Sequence, residues 1–578
     1  MFGGARAARR AGQWPRIGLL VLATTALTTP ALSQAPPGTA VPGVTAPELD
    51  PGARVSRPPP SRGGGAFTAE PPGPCPLESS DVEVTLNSVS FRGATAVSEA
   101  DLRGAYADFL GKPQKVSVIC AIRDRAARII FESGVLARVE IPEQRIAGGA
   151  MTLEVIEAHV VNVRVRGDVG PVQEAIERYA EKLRGMKPFD MAKAQRYLLL
   201  ASDVPGVRVR AAVRPSTSPS RGAVDIDLSV AREKPSAFVN ITNTGSEAAG
   251  RWGALLRTEL AGYTGYGEST AITAFHTMDS NEQWLLQVAE SARFGSEGLT
   301  GRGALTYGES RPGGSLSPLN LKSKSLVANL EAAYPFVRSR NQNLNLVGGL
   351  DLVDQKTTVG GVGRLSHDEL RVLYARADGD YRTEIGGRPL LVSGGVGVRK
   401  GLSLLGGSEA GDTDLTRAFA KPEAWVVKGQ GGIDIAITNR LTGMVRGQAQ
   451  YSSSPLLPYE QLSLGGLTVG RGYDPAAVIG DKGVSGAFEL RYGPMPVHPK
   501  VQAAPYLFFD TGYVANNNVR ISGVEKSRSL SSIGGGVIFR VNNRANLEVT
   551  YAHPLDSTRP GGPRRGDRVL IQLTASLL

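Results

Sequence analysis

The sequence predicts a pair of small α+β modules followed by a transmembrane β-barrel of about 16 antiparallel strands. Three observations carry this expectation. Between about Asp81 and Lys234 a strand–helix–helix–strand–strand pattern occurs twice, with Arg166-Gly167 falling 74 residues after Arg92-Gly93. From about Pro235 to Leu578 helical periodicity disappears and apolar residues recur at every second position. Beyond the N-terminal segment no apolar run approaches about 18 residues, so strands rather than helices are left to cross a bilayer.

The elements follow in order. Arg6, Arg9, Arg10 and Arg16 precede an apolar run from Ile17 to Leu27, and Ala31-Leu32-Ser33 offers small residues for cleavage. This pattern reads as a signal peptide over residues 1–33. Residues 34–80 are a linker rich in proline and glycine, with RPPPSRGGG and EPPGPCP, and hold at most one helical turn near Ala46 to Asp50.

The first module is expected over 81–157. VTLNSVSFRGA gives a strand and a glycine turn, and SEADLRGAYADFL a helix opened by Ser98. VICAIRDRAARIIFESG places Ile119, Ile122, Ala126 and Ile129 at helical spacing and stops at Gly134. The second module, over 158–234, repeats this with HVVNVRVRGD, two helical segments, VRVRAAVRP and AVDIDLSVARE. Two small tandem modules suit docking better than catalysis.

Only two cysteines occur, Cys75 and Cys120. Outside the cytoplasm pairing is the expectation and two free thiols the alternative; without a histidine cluster they cannot form a zinc site. The net charge of +11 is spread along the chain with no recognition motif, so no nucleic-acid partner is expected. No P-loop or HExxH motif is present and the five histidines are scattered singly, so neither an enzyme, a cofactor nor a metal is expected.

In the barrel region, over 235–578, Ile433, Ile435 and Ile437 alternate with Asp434, Ala436 and Thr438. Candidate strands of roughly 9 to 12 residues lie near 236, 252, 269, 283, 301, 324, 343, 368, 389, 424, 441, 484, 502, 531, 544 and 569. Their even number and their length favour a membrane barrel over a soluble sandwich, and a closed sheet of this size leaves an aqueous lumen.

Between the eleventh and twelfth strands runs a loop, 452–483, longer than a barrel connection needs. It holds GRGYD, with Arg471 between Gly470 and Gly472 and followed by Tyr473 and Asp474. The alternating Leu462, Leu464, Leu467 and Val469 predict that it folds into the lumen. A lumenal cation favours a carboxylate on the wall. In PYLFFDTGYV, Phe508, Asp510 and Gly512 share one face, which must point inward because a charge facing lipid is costly. Arg471 with Asp510 is the expected loop-to-wall salt bridge, for which arginine offers a bidentate fork.

At these residues the sequence resembles the two-partner secretion transporters of bacterial outer membranes (the TpsB group, the haemolysin and filamentous-haemagglutinin activation and secretion proteins). GRGY resembles the family's lid-loop motif at Gly470, Arg471, Gly472 and Tyr473, and FFDTG its barrel-wall motif at Phe508, Asp510 and Gly512. YPFVRSRNQNL, at Tyr334 to Leu344, looks like a periplasmic turn of the family, and the repeats look like POTRA domains 1 and 2.

The resemblance implies an outer-membrane pore that recognises an unfolded, β-rich exoprotein of adhesin or cytolysin type and moves it to the cell surface. Outer-membrane lipid and the barrel-assembly machinery are implied as further partners. A barrel insertase of the same superfamily is the alternative, which two repeats rather than a longer array disfavour. Gly470 stands where the motif has a branched apolar residue, the proline-rich linker departs from a long plug helix, and Leu578 is not the usual terminal aromatic.

Overall fold

The computed structural model describes residues 44–50, 73–278, 282–517, 525–542, 544–558 and 566–578. The expected signal peptide, and the linker outside 44–50 and 73–80, lie outside these residues.

The first module opens with Glu83–Thr85, paired with Pro113–Lys115, and its main sheet runs Ser88–Arg92, Ala150–Glu157, Ala137–Glu140. The helix expected from Ser98 lasts a single turn, Glu99–Leu102, and continues as two 3-10 turns, Arg103–Ala105 and Ala107–Phe109. Ser98 and Asp101 cap that turn reciprocally, but Gly104 disfavours continuing the helix. The long helix Val118–Glu132 buries Ile119, Ile122, Ala126 and Ile130. Ile129, expected on that face, is half-buried; four-residue steps from Ile122 keep the stripe aligned through Ala126 to Ile130 instead.

The second module repeats the plan with a sheet ordered His159–Gly167, Ala223–Arg232, Val207–Pro215, the first pair parallel and the second antiparallel. Its helices Gln173–Glu181 and Met191–Ser202 pack onto one sheet face through Ile176, Tyr179, Leu200, Ile226 and Leu228, all essentially fully buried. Asp190 caps the second of these helices by accepting from the Lys193 amide at 3.0 Å.

From Ser236–Thr242 to Arg568–Ser576 the chain forms one closed antiparallel barrel, in which the last strand pairs with the first. Each of the expected strand positions falls in a strand of it, or within one residue of one. The lengths differ from the expected range, from 7 residues at Ser236–Thr242 to 23 at Gly363–Ile385. The twelfth strand is broken at Gly493-Pro494 into Lys482–Tyr492 and Met495–His498, both paired with Val501–Ala515. Proline has no amide to give the ladder there.

The barrel is inverted relative to a soluble fold. Leu256, Leu286, Leu330, Leu373, Leu507 and Ile533 are exposed on its outer wall, while Gln287, Ser325, Asp351, Gln355 and Thr550 are buried inside. Among the described residues no helix is long and apolar enough to cross a membrane.

Part of the linker does not behave as a free tether. Ala46–Leu49 is a single helical turn inside the barrel, where Leu49 packs with the wall residues Val327, Val353, Leu370 and Val372, and Gln355 donates to the Val44 carbonyl at 3.0 Å. A short proline-rich segment cannot build its own core; here the wall supplies one. Near the other end of the linker, the structure joins Cys75 to Cys120 as a disulfide.

The second module clasps one end of the barrel. Arg338, in the turn region Tyr334 to Leu344, grips Asp203 with two contacts of 2.6 and 2.7 Å. Arg196 donates to the Pro335 carbonyl at 2.8 Å, and Lys182 meets Glu297, in the turn between Gln283–Phe294 and Leu299–Ser310, at 3.0 Å.

Candidate functional site

The long loop spans 452–481, two residues shorter than expected because the twelfth strand starts at Lys482. It enters from the barrel end away from the modules and folds into the lumen. A 3-10 turn at Pro458–Glu460 leads into Leu462–Leu464, which pairs with Val478–Gly480. Leu462, Leu464 and Tyr473 then bury themselves against Val514 and Leu530 of the wall.

Between these two short strands the chain turns at Gly470, whose φ of +87° lies in the left-handed region. A Cβ there would lie 3.1 Å from the Gly465 amide nitrogen. A branched side chain at this φ would be strained, and glycine is not. The turn aims two successive amides, those of Gly470 and Arg471, at Asp510 Oδ2, at 3.1 and 3.0 Å.

The Arg471 side chain closes on the same carboxylate, Nε to Oδ2 at 3.1 Å and Nη2 to Oδ1 at 2.9 Å. Asp510 is completely buried and Arg471 nearly so, so the carboxylate takes these four donors, and the Ser532 hydroxyl at 3.4 Å, out of water's reach. The guanidinium lies over the Phe508 ring at 3.6 Å, and its Nη1 reaches Glu489 at 3.0 Å. Leu464 occupies the space beside Gly512, where a Cβ would lie 2.6 Å from its Cδ2. The three wall residues thus hold distinct places: Asp510 binds the loop, Phe508 stacks on its cation, and Gly512 leaves room for its strand.

Gly472 donates to Ser532 Oγ at 3.3 Å. The Tyr473 hydroxyl meets the Ser531 carbonyl and accepts from the Asp556 amide, both at 2.8 Å, and Asp474 pairs with Arg568 at 3.3 Å. Each residue of GRGYD therefore binds the wall.

Sequence reasoning missed two further anchors of opposite polarity. Glu460 of the loop pairs with Arg399 of the wall at 2.7 Å, and Arg399 also meets Asp351 at 2.7 Å. At the loop's end, fully buried Asp481 binds Arg417 from the outer loop 402–424 and accepts from the amides of Leu456 and Asn517 at 2.9 and 2.7 Å. The signal that singled out Asp510 was present for Arg399 and Glu489 as well, since both alternate with outward apolar residues, Val398 and Val396, Phe488 and Leu490. Arg417 and Asp481 lie in irregular chain, where no such alternation exists.

The lumen contains a cavity of about 850 Å³, bordered by Arg257, Gln287, Asp351, Arg399 and Lys428. Toward the outer end Leu49, Leu415, Ala420, Leu457 and Tyr459 meet in one apolar cluster, so the linker, the outer loop and the lumenal loop jointly close the barrel. Among the described residues Asp354, His367 and Glu369 could reach one ion. The imidazole lies between the two acids, hydrogen-bonded to Asp354 at 3.0 Å through one nitrogen, with Glu369 3.9 Å from the other.

Comparison with known proteins agrees with this architecture. Residues 222–538 match the family described as haemolysin secretion/activation protein ShlB/FhaC/HecB, and residues 84–158 match the ShlB-type POTRA domain. The heme/hemopexin transporter protein HuxB of Haemophilus influenzae is 21% identical over 464 residues, covering 78% of this chain and 80% of that protein. Among solved structures, CdiB from Escherichia coli aligns with a TM-score of 0.71 at 16% identity, covering 87% of this chain and 92% of its own. CdiB from Acinetobacter baumannii aligns at 0.62 and 15%, covering 86% and 90%. At those identities the two structures speak for the fold alone. With more than half its length matched, the chain belongs to the ShlB/FhaC/HecB family of two-partner secretion transporters, outer-membrane barrels that are not enzymes and whose POTRA domains lie in the periplasm.

Proposed function

We propose that this transporter captures an unfolded, β-rich partner exoprotein on its periplasmic POTRA domains and passes it through the barrel to the cell surface, with the loop 452–481 as the lid that must yield. The observation that carries the reading is the buried Arg471–Asp510 pair, at 2.9 Å, tying a lumenal loop to the wall by side chain and backbone together. A loop with no task would not need a charge pair whose desolvation is costly; a lid needs a seat that is specific and can be broken. POTRA edge strands supply hydrogen-bonding groups that an extended chain can complete, and folding of the cargo outside is the drive consistent with the absence of any nucleotide motif.

The test is co-expression with the candidate exoprotein, scoring its appearance in the medium for wild type, Arg471→Ala and Asp510→Ala, with barrel insertion followed separately. Export is expected to fall in both variants while the barrel stays in the membrane. Unchanged export in both would remove the lid role from this pair.

A further inference from the structure

The second POTRA sheet has Val207–Pro215 at its edge. The bond from the Glu233 amide to the Gly206 carbonyl, 2.8 Å, sets the alternation: even-numbered residues of the strand bond inward. Val207, Val209, Ala211 and Val213 therefore direct their amides along the outer edge. The opposite edge is less available, because Val160 donates to the Met186 carbonyl at 3.0 Å and the register slips beside it.

The sheet face away from the helices is rich in arginine. Arg208, Arg210 and Arg214 alternate along the edge strand, and Arg164 and Arg166 stand on the far strand. The Arg208 and Arg214 side chains are 67% and 70% exposed. Asp225, Asp227 and Glu233 pair with four of the five, and Arg210 makes no ion pair among the described residues. The helix side faces the barrel, through Arg178 to Gly265 and Arg196 to Pro335, so the arginine face looks into the periplasm. The edge also leads somewhere: Gly206, just before it, sits against the barrel turn, where a Cβ would lie 2.6 Å from the Ala261 carbonyl.

We infer that Val207–Pro215 is a docking rail for an extended polypeptide segment carrying carboxylates at every second position with apolar or small residues between. Laid along the edge as a fourth strand, such a segment sets its carboxylates about 6.8 Å apart, opposite Arg208 and Arg210 at the same spacing and Arg214 at twice that step, beyond Ala212. Opposite charges across neighbouring strands attract and like charges repel, so the rail rejects a segment with lysines at those positions. Added there, the segment starts or ends at the barrel rim. That the segment belongs to a secreted cargo rests on the function proposed above; the charge rule does not.

The test uses the full-length protein in nanodiscs of zwitterionic lipid and fluorescent peptides alternating valine with aspartate, valine with lysine, and an aspartate peptide N-methylated at alternate amides. The aspartate peptide is expected to bind at least about tenfold more tightly than either control, as several favourable cross-strand pairs would give. Arg208→Gln, Arg210→Gln and Arg214→Gln together should erase the preference, and the corresponding Glu substitutions should reverse it toward lysine. Equal binding of aspartate and lysine peptides overturns the rail, as does undiminished binding of the N-methylated peptide, which would leave only charge adhesion. Attachment of this face to phosphatidylglycerol vesicles with no peptide preference would assign it to lipid instead. Export of the natural partner by the Glu variants at wild-type level, with no peptide discrimination, ends the rail and leaves the secretion reading standing. If wild type exports no partner, that reading fails while the peptides still decide the rail.

Discussion

Asp510 accepts two backbone amides and two guanidinium contacts in a fully buried position, so removing Arg471 strands its charge in low dielectric, while removing Asp510 leaves the guanidinium with Glu489 alone. Arg471→Ala or Asp510→Ala should each weaken the seated loop by about 3–5 kcal/mol, the range for breaking one side of a buried pair. The double variant should cost less than the two singles together, because no unpaired charge is left behind. Limited proteolysis of the loop in the purified protein measures this, and additive effects would mean that the two residues act independently. Arg471→Lys keeps the charge but loses the fork and the flat stack on Phe508. It should fall between wild type and Arg471→Ala in the same assay.

Two elements respond differently because they are held differently. In the turn that carries it, partial burial pushes the Glu297 carboxyl up, but hydrogen bonds from Lys182 and Tyr197, with the Lys182 and Arg196 charges, outweigh this and hold it below the usual range. A lowered acid pKa contributes to docking fully above the ordinary glutamate value, about 4.3, and the contribution is lost as pH falls through the docked value. Distances between spin labels on the second module and the barrel should therefore hold steady at neutral pH and broaden only in acid; Glu297→Gln should remove that dependence.

Along the lumenal loop, Glu460→Gln leaves Arg399 with Asp351 alone and Lys428 without its partner at 3.6 Å. Single-channel recordings should show more frequent openings of this variant with the barrel still folded. Recordings like those of wild type would mean that the Arg471 anchor suffices.

On the scale of the whole molecule, closure is shared: Leu49 from the linker, Leu415 and Ala420 from the outer loop and Leu457 from the lumenal loop bury one another. Deleting 44–50 should open a permanent path, seen as higher conductance and entry of a bulky antibiotic, without loss of the barrel. No change in either would show that the two loops seal the lumen alone.

The sequence by itself determined the two modules, the barrel and the inward face bearing Asp510, because those follow from local period: a 74-residue repeat, and alternation in which a charge cannot face lipid. The same rule applied to Arg399 and Glu489 would have found two more residues of the loop's seat. What only the tertiary structure decided lies in irregular chain. Asp481 meets Arg417 across 64 residues, and one turn of a proline-rich linker finds its core on the barrel wall. Gly470 takes a positive φ that turns two amides onto one carboxylate. Such contacts depend on which distant surfaces the closed sheet brings together, and no periodicity along the chain records that.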